Sequence, residues 1–141
     1  MGRWKDDKRD GMGKMSWANG TTYDGEFEDD KKHGAGVYTW PNGTSYDGAW
    51  VENKRTGQGK LSYPDGSVYN GSFVNNLKDG NGEFTFKDGS YYLGNWKNDL
   101  KEGQGVFKWA DEHKFNGNWE KGEPKEGKLT MPDGQIRTVK P

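Results

Sequence analysis

TSYDGAWVENKRTGQGKLSYPDG, residues 44–66, decides the fold. Tyr46, Gly48 and Trp50 fall on alternate positions, with Asp47, Ala49 and Val51 between them, and this period of two marks a half-buried strand. Gly57, Gly59, Leu61 and Tyr63 alternate in the same way with Gln58, Lys60 and Ser62, which predicts a second strand with all four on one face. Asp65-Gly66 supplies the positive φ that a tight hairpin turn needs, so the tight turn is predicted there. The polar stretch Glu52–Thr56 is predicted to be a slightly longer loop. No apolar residues recur at helical spacing, and the stretch reads as one β-hairpin.

The unit recurs along the chain. Tyr23, Tyr46, Tyr69, Tyr92 and Phe115 are 23 residues apart, each followed two positions later by glycine and four positions later by Phe27, Trp50, Phe73, Trp96 or Trp119. Paired glycines follow in step at Gly34/Gly36, Gly57/Gly59, Gly80/Gly82 and Gly103/Gly105, and turn dipeptides at Asn42-Gly43, Asp65-Gly66 and Asp88-Gly89. A fixed period of this length is the signature of a repeat architecture. Gly2, Trp4, Gly11, Gly13 and Asn19-Gly20 continue the frame towards the N-terminus, and GKLTMPDG (127–134) continues it, one residue early, at the other end. Glu112 stands at a turn glycine and Lys125 at a paired glycine, so the C-terminal end is expected to twist or cap differently.

The fold class is therefore all-β: an elongated antiparallel meander of about a dozen strands, in one array over 1–141 of about six units, the first and last incomplete. At about 4.8 Å per strand it would extend roughly 55 Å. Only 28% of the residues are hydrophobic and 30% are charged, a balance that by itself suits a disordered chain. The 14% aromatic content and the periodic placement of the 23 glycines argue instead for an ordered sheet. Glycines on the aromatic face leave slots in which neighbouring rings can lie, giving an aromatic-floored trough with a polar opposite face.

The pattern Y-x-G-x-W/F, paired G-x-G and D-G, at this period, resembles the MORN (membrane occupation and recognition nexus) repeat. The resemblance covers essentially the whole chain. It implies a curled antiparallel sheet whose aromatic groove receives partner peptides. It also implies scaffolding roles at junctional membranes, in cytoskeletal structures and in axonemes including radial spokes, or service as an accessory segment of a larger enzyme.

The residues point to binding and not to catalysis. The groove candidates are Tyr23, Phe27, Trp40, Tyr46, Trp50, Tyr63, Tyr69, Phe73, Phe86, Tyr92, Trp96, Trp109, Phe115 and Trp119. Each is first a packing residue. The second-strand aromatics Trp17, Tyr38, Trp40, Tyr63, Phe86 and Trp109 vary more between units and are the better candidates for specificity, because aromatics dominate interface energetics. Net charge is −1, which selects nothing for nucleic acid. Summed loop by loop, charges between KDDKRD and KNDLKE run only from −1 to +1, which disfavours direct membrane binding and leaves a membrane- or phosphoinositide-associated tether as the alternative to a protein scaffold.

Gly122–Lys128 imitates a phosphate loop but is followed by Leu129, where Ser or Thr is needed. His33 and His113 stand alone, and there is no cysteine. No nucleophile, base and orienter set is present. No catalytic residue, metal site or cofactor is expected. The expected partner is a protein: a peptide or helix in the groove, a neighbouring subunit of a large assembly, or a second copy. The expected location is intracellular: cytoplasm or cytoskeleton, including a cilium or flagellum.

Overall fold

The computed structural model describes residues 4–5 and 8–140, with side chains from Asp10 to Lys140. Gly2 and the side chain of Trp4, placed in the repeat frame above, lie outside that description. A two-stranded sheet pairs β1 (Trp4–Lys5) with β2 (Lys8–Arg9). All other strands form one sheet of 12, each hydrogen-bonded to its sequence neighbours. They are β3 (Gly11–Ser16), β4 (Thr22–Glu28), β5 (Lys31–Thr39), β6 (Ser45–Val51), β7 (Lys54–Ser62) and β8 (Val68–Val74). β9 (Leu77–Thr85), β10 (Tyr91–Lys97), β11 (Leu100–Lys108), β12 (Lys114–Glu120), β13 (Glu123–Thr130) and β14 (Ile136–Val139) complete it. The predicted meander is what forms, and it does not close on itself: β3 and β14 are its two edges.

The register puts glycine against glycine across eleven consecutive strands. Gly13, Gly25, Gly36, Gly48, Gly59, Gly71, Gly82, Gly94, Gly105, Gly117 and Gly127 face one another in turn, and Val139 ends the row. Over this bare ladder lie the first-strand rings. Tyr23, Tyr46, Tyr69 and Tyr92 have no exposed surface, and a Cβ on Gly36, Gly59, Gly82 or Gly105 would occupy the space of the tyrosine ring above it. Each hydroxyl donates to the backbone carbonyl three residues on: Glu26 at 2.7 Å, Ala49 at 2.8 Å, Ser72 at 2.8 Å and Asn95 at 3.0 Å. Phe27, Trp50, Phe73, Trp96 and Trp119 stand edge-on to the same rings, as at Tyr46–Trp50, 5.2 Å apart at 85°. Trp50, Trp96 and Trp119 donate Nε1–H to Gly36, Gly82 and Gly105 carbonyls, each at 3.1 Å. A single sheet thereby builds a core from its own face, the rings burying glycine backbone on one side and one another on the other.

Two sequence expectations about the glycines and turns are corrected. The first glycine of each pair does not join the aromatic face: Gly34, Gly57, Gly80 and Gly103 have φ between +80° and +107° and face Glu26, Ala49, Ser72 and Asn95 on the opposite side. They sit in bulges. Three residues of β5 separate Lys32 from Gly36, while one residue of β4 separates Phe27 from Gly25 opposite, and the next three hairpins repeat this. A period-two reading cannot register such an insertion, because the face flips within the strand.

The turns are also exchanged. The two-residue turns with both central residues at positive φ are Asp29-Asp30, Glu52-Asn53, Asn75-Asn76, Asn98-Asp99 and Lys121-Gly122, inside the stretches expected to be longer loops. These are I′ hairpins, whose twist matches that of the flanking strands. The Asx-Gly turns are longer: Trp40 N–H donates to Thr44 O and Gly43 N–H to Trp40 O, and glycine alone has positive φ. There the Asx carboxyl or amide oxygen accepts from the backbone N–H two residues on, at 2.8–3.1 Å from Asn19 to Asp133. Hydrogen bonds hold three of these carboxyls below the usual carboxylate range: Asp65 chiefly through the Ser67 N–H, Asp88 through the Ser90 hydroxyl and then its N–H, and Asp111 through the His113 ring and then its N–H.

Candidate functional site

Of the fourteen groove candidates, ten are core: Tyr23, Phe27, Tyr46, Trp50, Tyr69, Phe73, Tyr92, Trp96, Phe115 and Trp119 are all buried. Trp40, Tyr63 and Phe86 are half-buried and Trp109 is exposed. These four project from the end of each second strand, where the Asx-Gly turn begins. They interleave with the half-buried Tyr38, Phe84 and Phe107, the cross-strand partners of Tyr23, Tyr69 and Tyr92, to form a second row of rings on the same face, packed beside the core. Contacts run Trp17–Tyr38–Trp40 at 6.0 and 4.6 Å, and Tyr63–Phe84–Phe86–Phe107–Trp109 at 5.6, 4.7, 5.7 and 4.7 Å. Phe84 and Phe107 were not singled out in the sequence, although they stand 23 residues from Leu61 and from each other.

The ladder of rings is broken at Leu61, which takes the place of Tyr38 and Phe84 in the third unit and is buried. The shorter side chain leaves a recess of about 250 Å³ bordered by Trp40, Leu61, Tyr63, Phe73, Arg55 and Lys78.

Cations form the other margin of this face. Lys32, Arg55, Lys78 and Lys101, 23 residues apart, each lie over several rings at 5.3–5.8 Å from the centroids. They are opposite the core aromatics in the register, as Lys32 is to Phe27 and Arg55 to Trp50. Ring faces attract cations electrostatically, more strongly where water is displaced. Burial holds the Arg55 and Lys101 side chains below their ordinary pKa, and Tyr46 and Asp99 partly oppose that shift at Arg55. Asp99 also approaches Lys78 at 3.8 Å. Summing loop charges concealed this placement: the bulge turns these four cations onto the ring face, while the reverse face carries both signs, with Asp47 opposite Lys60 and Lys14 opposite Asp24.

The I′ turns stitch neighbouring units along this margin. Asn53 Oδ1 accepts from Lys32 N–H at 2.8 Å while Asn53 N–H donates to Lys32 O at 2.9 Å; Asn76 with Arg55 and Asp99 with Lys78 repeat the pair. Burial, the leading cause, pushes the Tyr46 and Tyr92 hydroxyls up to about 12, and those of Tyr23 and Tyr69 higher still. The reverse face is mostly polar, with single exposed aliphatics such as Val51, Val74 and Leu93. Among the described residues, no three His, Asp or Glu side chains are grouped so as to hold a metal ion.

The MORN repeat family model matches five tandem segments, 1–22, 23–45, 46–68, 69–91 and 92–114, together most of the chain. The chain belongs to the MORN-repeat family. In this MORN array the five matched segments are continued by β12–β14 in the same sheet. Among solved structures, the SAS-4 (dCPAP) TCP domain of Drosophila melanogaster, in complex with a proline-rich motif of Ana2, is 16% identical with a TM-score of 0.51, covering 92% of this chain and 90% of that one. The TCP10 domain of Danio rerio CPAP is 17% identical with a TM-score of 0.33, covering 92% and 72%. No curated protein sequence matches the chain.

Proposed function

We propose that this MORN array is a non-enzymatic protein-interaction scaffold that receives a partner on its aromatic face. One observation carries the reading: beside the fully buried first-strand rings, a row of aromatics from Trp17 to Trp109 stays half-buried or exposed along one face of the sheet. Contiguous exposed aromatic surface is the usual mark of an interaction site, and Trp and Tyr are the residues that dominate binding energy. The similarity in fold to a TCP domain that holds a proline-rich motif supports a peptide as the occupant. By analogy with the family, the assembly would be cytoskeletal, in a ciliary or axonemal setting. The test is affinity purification with wild-type protein and with a Trp40→Ala, Tyr63→Ala, Trp109→Ala variant. Loss of a co-purifying protein from a variant that still melts cooperatively is the expected result. Unchanged capture by the folded variant would remove the aromatic face from the function.

A further inference from the structure

We infer that the occupant of this face is an acidic polyproline-II segment lying along the array, across the strands, with an apolar residue at every third position and a carboxylate beside it. The inference rests on the peptide-binding reading above and adds a conformation, a period and a charge.

The period comes from the sheet. Trp40, Tyr63, Phe86 and Trp109 hold equivalent places in successive hairpins, as do Lys32, Arg55, Lys78 and Lys101. Equivalent residues are therefore two strands apart, about 9.6 Å. A polyproline-II helix makes one turn in three residues of ~3.1 Å rise, a pitch of about 9.3 Å. Over three repeats its slip against the ring ladder is only about 1 Å. Two turns of α-helix measure ~10.8 Å, so a helix slips by roughly 3.6 Å over the same distance. An extended strand returns to one face every ~6.7 Å and falls out of step at once. Of the regular peptide conformations, polyproline II alone can place the same atoms against four successive units.

The charge comes from the second row. A three-fold helix has three faces, so a segment with one face on the rings presents a second to the cation margin. Those cations are held over rings and partly desolvated, so a carboxylate meets them with less water to displace. Asp99 offsets part of the positive charge between Arg55 and Lys78, and Lys32 and Lys101 stand at the two ends of the cation row. The Leu61 recess, lined by Arg55, Asn76, Lys78 and Asp99 as well as by rings, interrupts the ladder at one unit and so marks the register. A lipid headgroup layer has no such period, and it would also meet the balanced loop charges.

Fluorescence anisotropy with labelled twelve-residue peptides tests this on the full chain. The probes are four repeats of Pro-Glu-Ser, three repeats of Pro-Glu-Ser-Ser, four repeats of Pro-Lys-Ser, and an acidic amphipathic helix. Vesicles containing phosphatidylserine form a separate arm. The three-residue acidic probe is expected to bind at least tenfold tighter than the other peptides. Lys32→Gln with Lys101→Gln should weaken it about tenfold and flatten its salt dependence, with the thermal transition retained. Equal affinity for the three- and four-residue periods overturns the inference, as does equal affinity for the lysine probe. Preference for the helix, lost in the Trp40→Ala variant, overturns the conformation but keeps the peptide-binding face. Binding to vesicles alone overturns both.

Discussion

The central hairpins and the C-terminal hairpin β12–β13 are built on one plan, and the second keeps only part of it. Both have the glycine ladder and its rings: Gly117 faces Gly127, and Phe115 and Trp119 are buried. Trp119 also keeps its indole bond to Gly105 O, but several central features are missing from the last hairpin. Pro124 faces Trp119 where a cation faces the core aromatic elsewhere, and Gly122 cannot make the side-chain bond that Asn53, Asn76 and Asp99 make. Phe115 has no hydroxyl, and the bulge is one residue shorter, with Lys125 at ordinary φ. Leu129 replaces the half-buried ring. The sheet nonetheless continues through it to β14. Glycine and the buried rings are thus common to central and terminal hairpins alike, and the cation, the half-buried ring and the side-chain stitch stand apart from that shared frame.

That separation can be broken at its strongest point first. Gly82→Ala puts a methyl into the Tyr69 ring, which is fully buried and cannot retreat, and should cost about 3 kcal/mol or more in urea denaturation. The same change at Gly66, where nothing lies nearby, should cost only the smaller strain of its positive φ.

Alkali should act next. The buried tyrosines are neutral in the folded chain and have a raised pKa, so above about pH 10 the unfolded chain binds fewer protons than the folded one. Stability is therefore complete below pH 10 and falls as pH rises towards 12, where Tyr46 and Tyr92 ionise in place. Denaturant midpoints across pH 8–12 measure this. A flat profile would contradict the burial of these hydroxyls.

Smaller changes make a central hairpin resemble the last one. Tyr46→Phe removes the bond to Ala49 O and should cost about 1–2 kcal/mol by thermal melting. Asn76→Gly keeps the positive φ and the backbone bond to Arg55 O but deletes the side-chain half of the stitch, for about 1 kcal/mol. Glu112 runs the other way. It holds φ +78° in a turn otherwise of the same form, with Lys108 paired to it at 3.2 Å. Glu112→Gly should stabilise the chain by up to about 1 kcal/mol, which differential scanning calorimetry would resolve.

Much of this was legible in the sequence. The 23-residue period located each hairpin, and alternation placed Tyr46, Gly48 and Trp50 on one face. Alternation failed where the strand departs from it, at the bulges. Gly57 was therefore assigned to the wrong face, and Arg55, two positions away, passed for a loop charge. The turns were exchanged because Asx-Gly is the strongest I′ signal known from composition, whereas Glu52-Asn53 adopts positive φ through its position between paired strands. Depth was also illegible: periodicity places a ring on a face but does not say whether a second ring covers it.

The meander order has a mechanical consequence. Strands β3 and β14 lie at opposite ends of the sheet, so tension applied between them acts across the strands and opens their hydrogen bonds in succession, not all at once. Each hairpin that peels away would release 23 residues, roughly 75 Å of slack at full extension. Such an array under load would lengthen in even steps, and the reciprocal bonds between neighbouring units, present at Asn53, Asn76 and Asp99, would set the force of each.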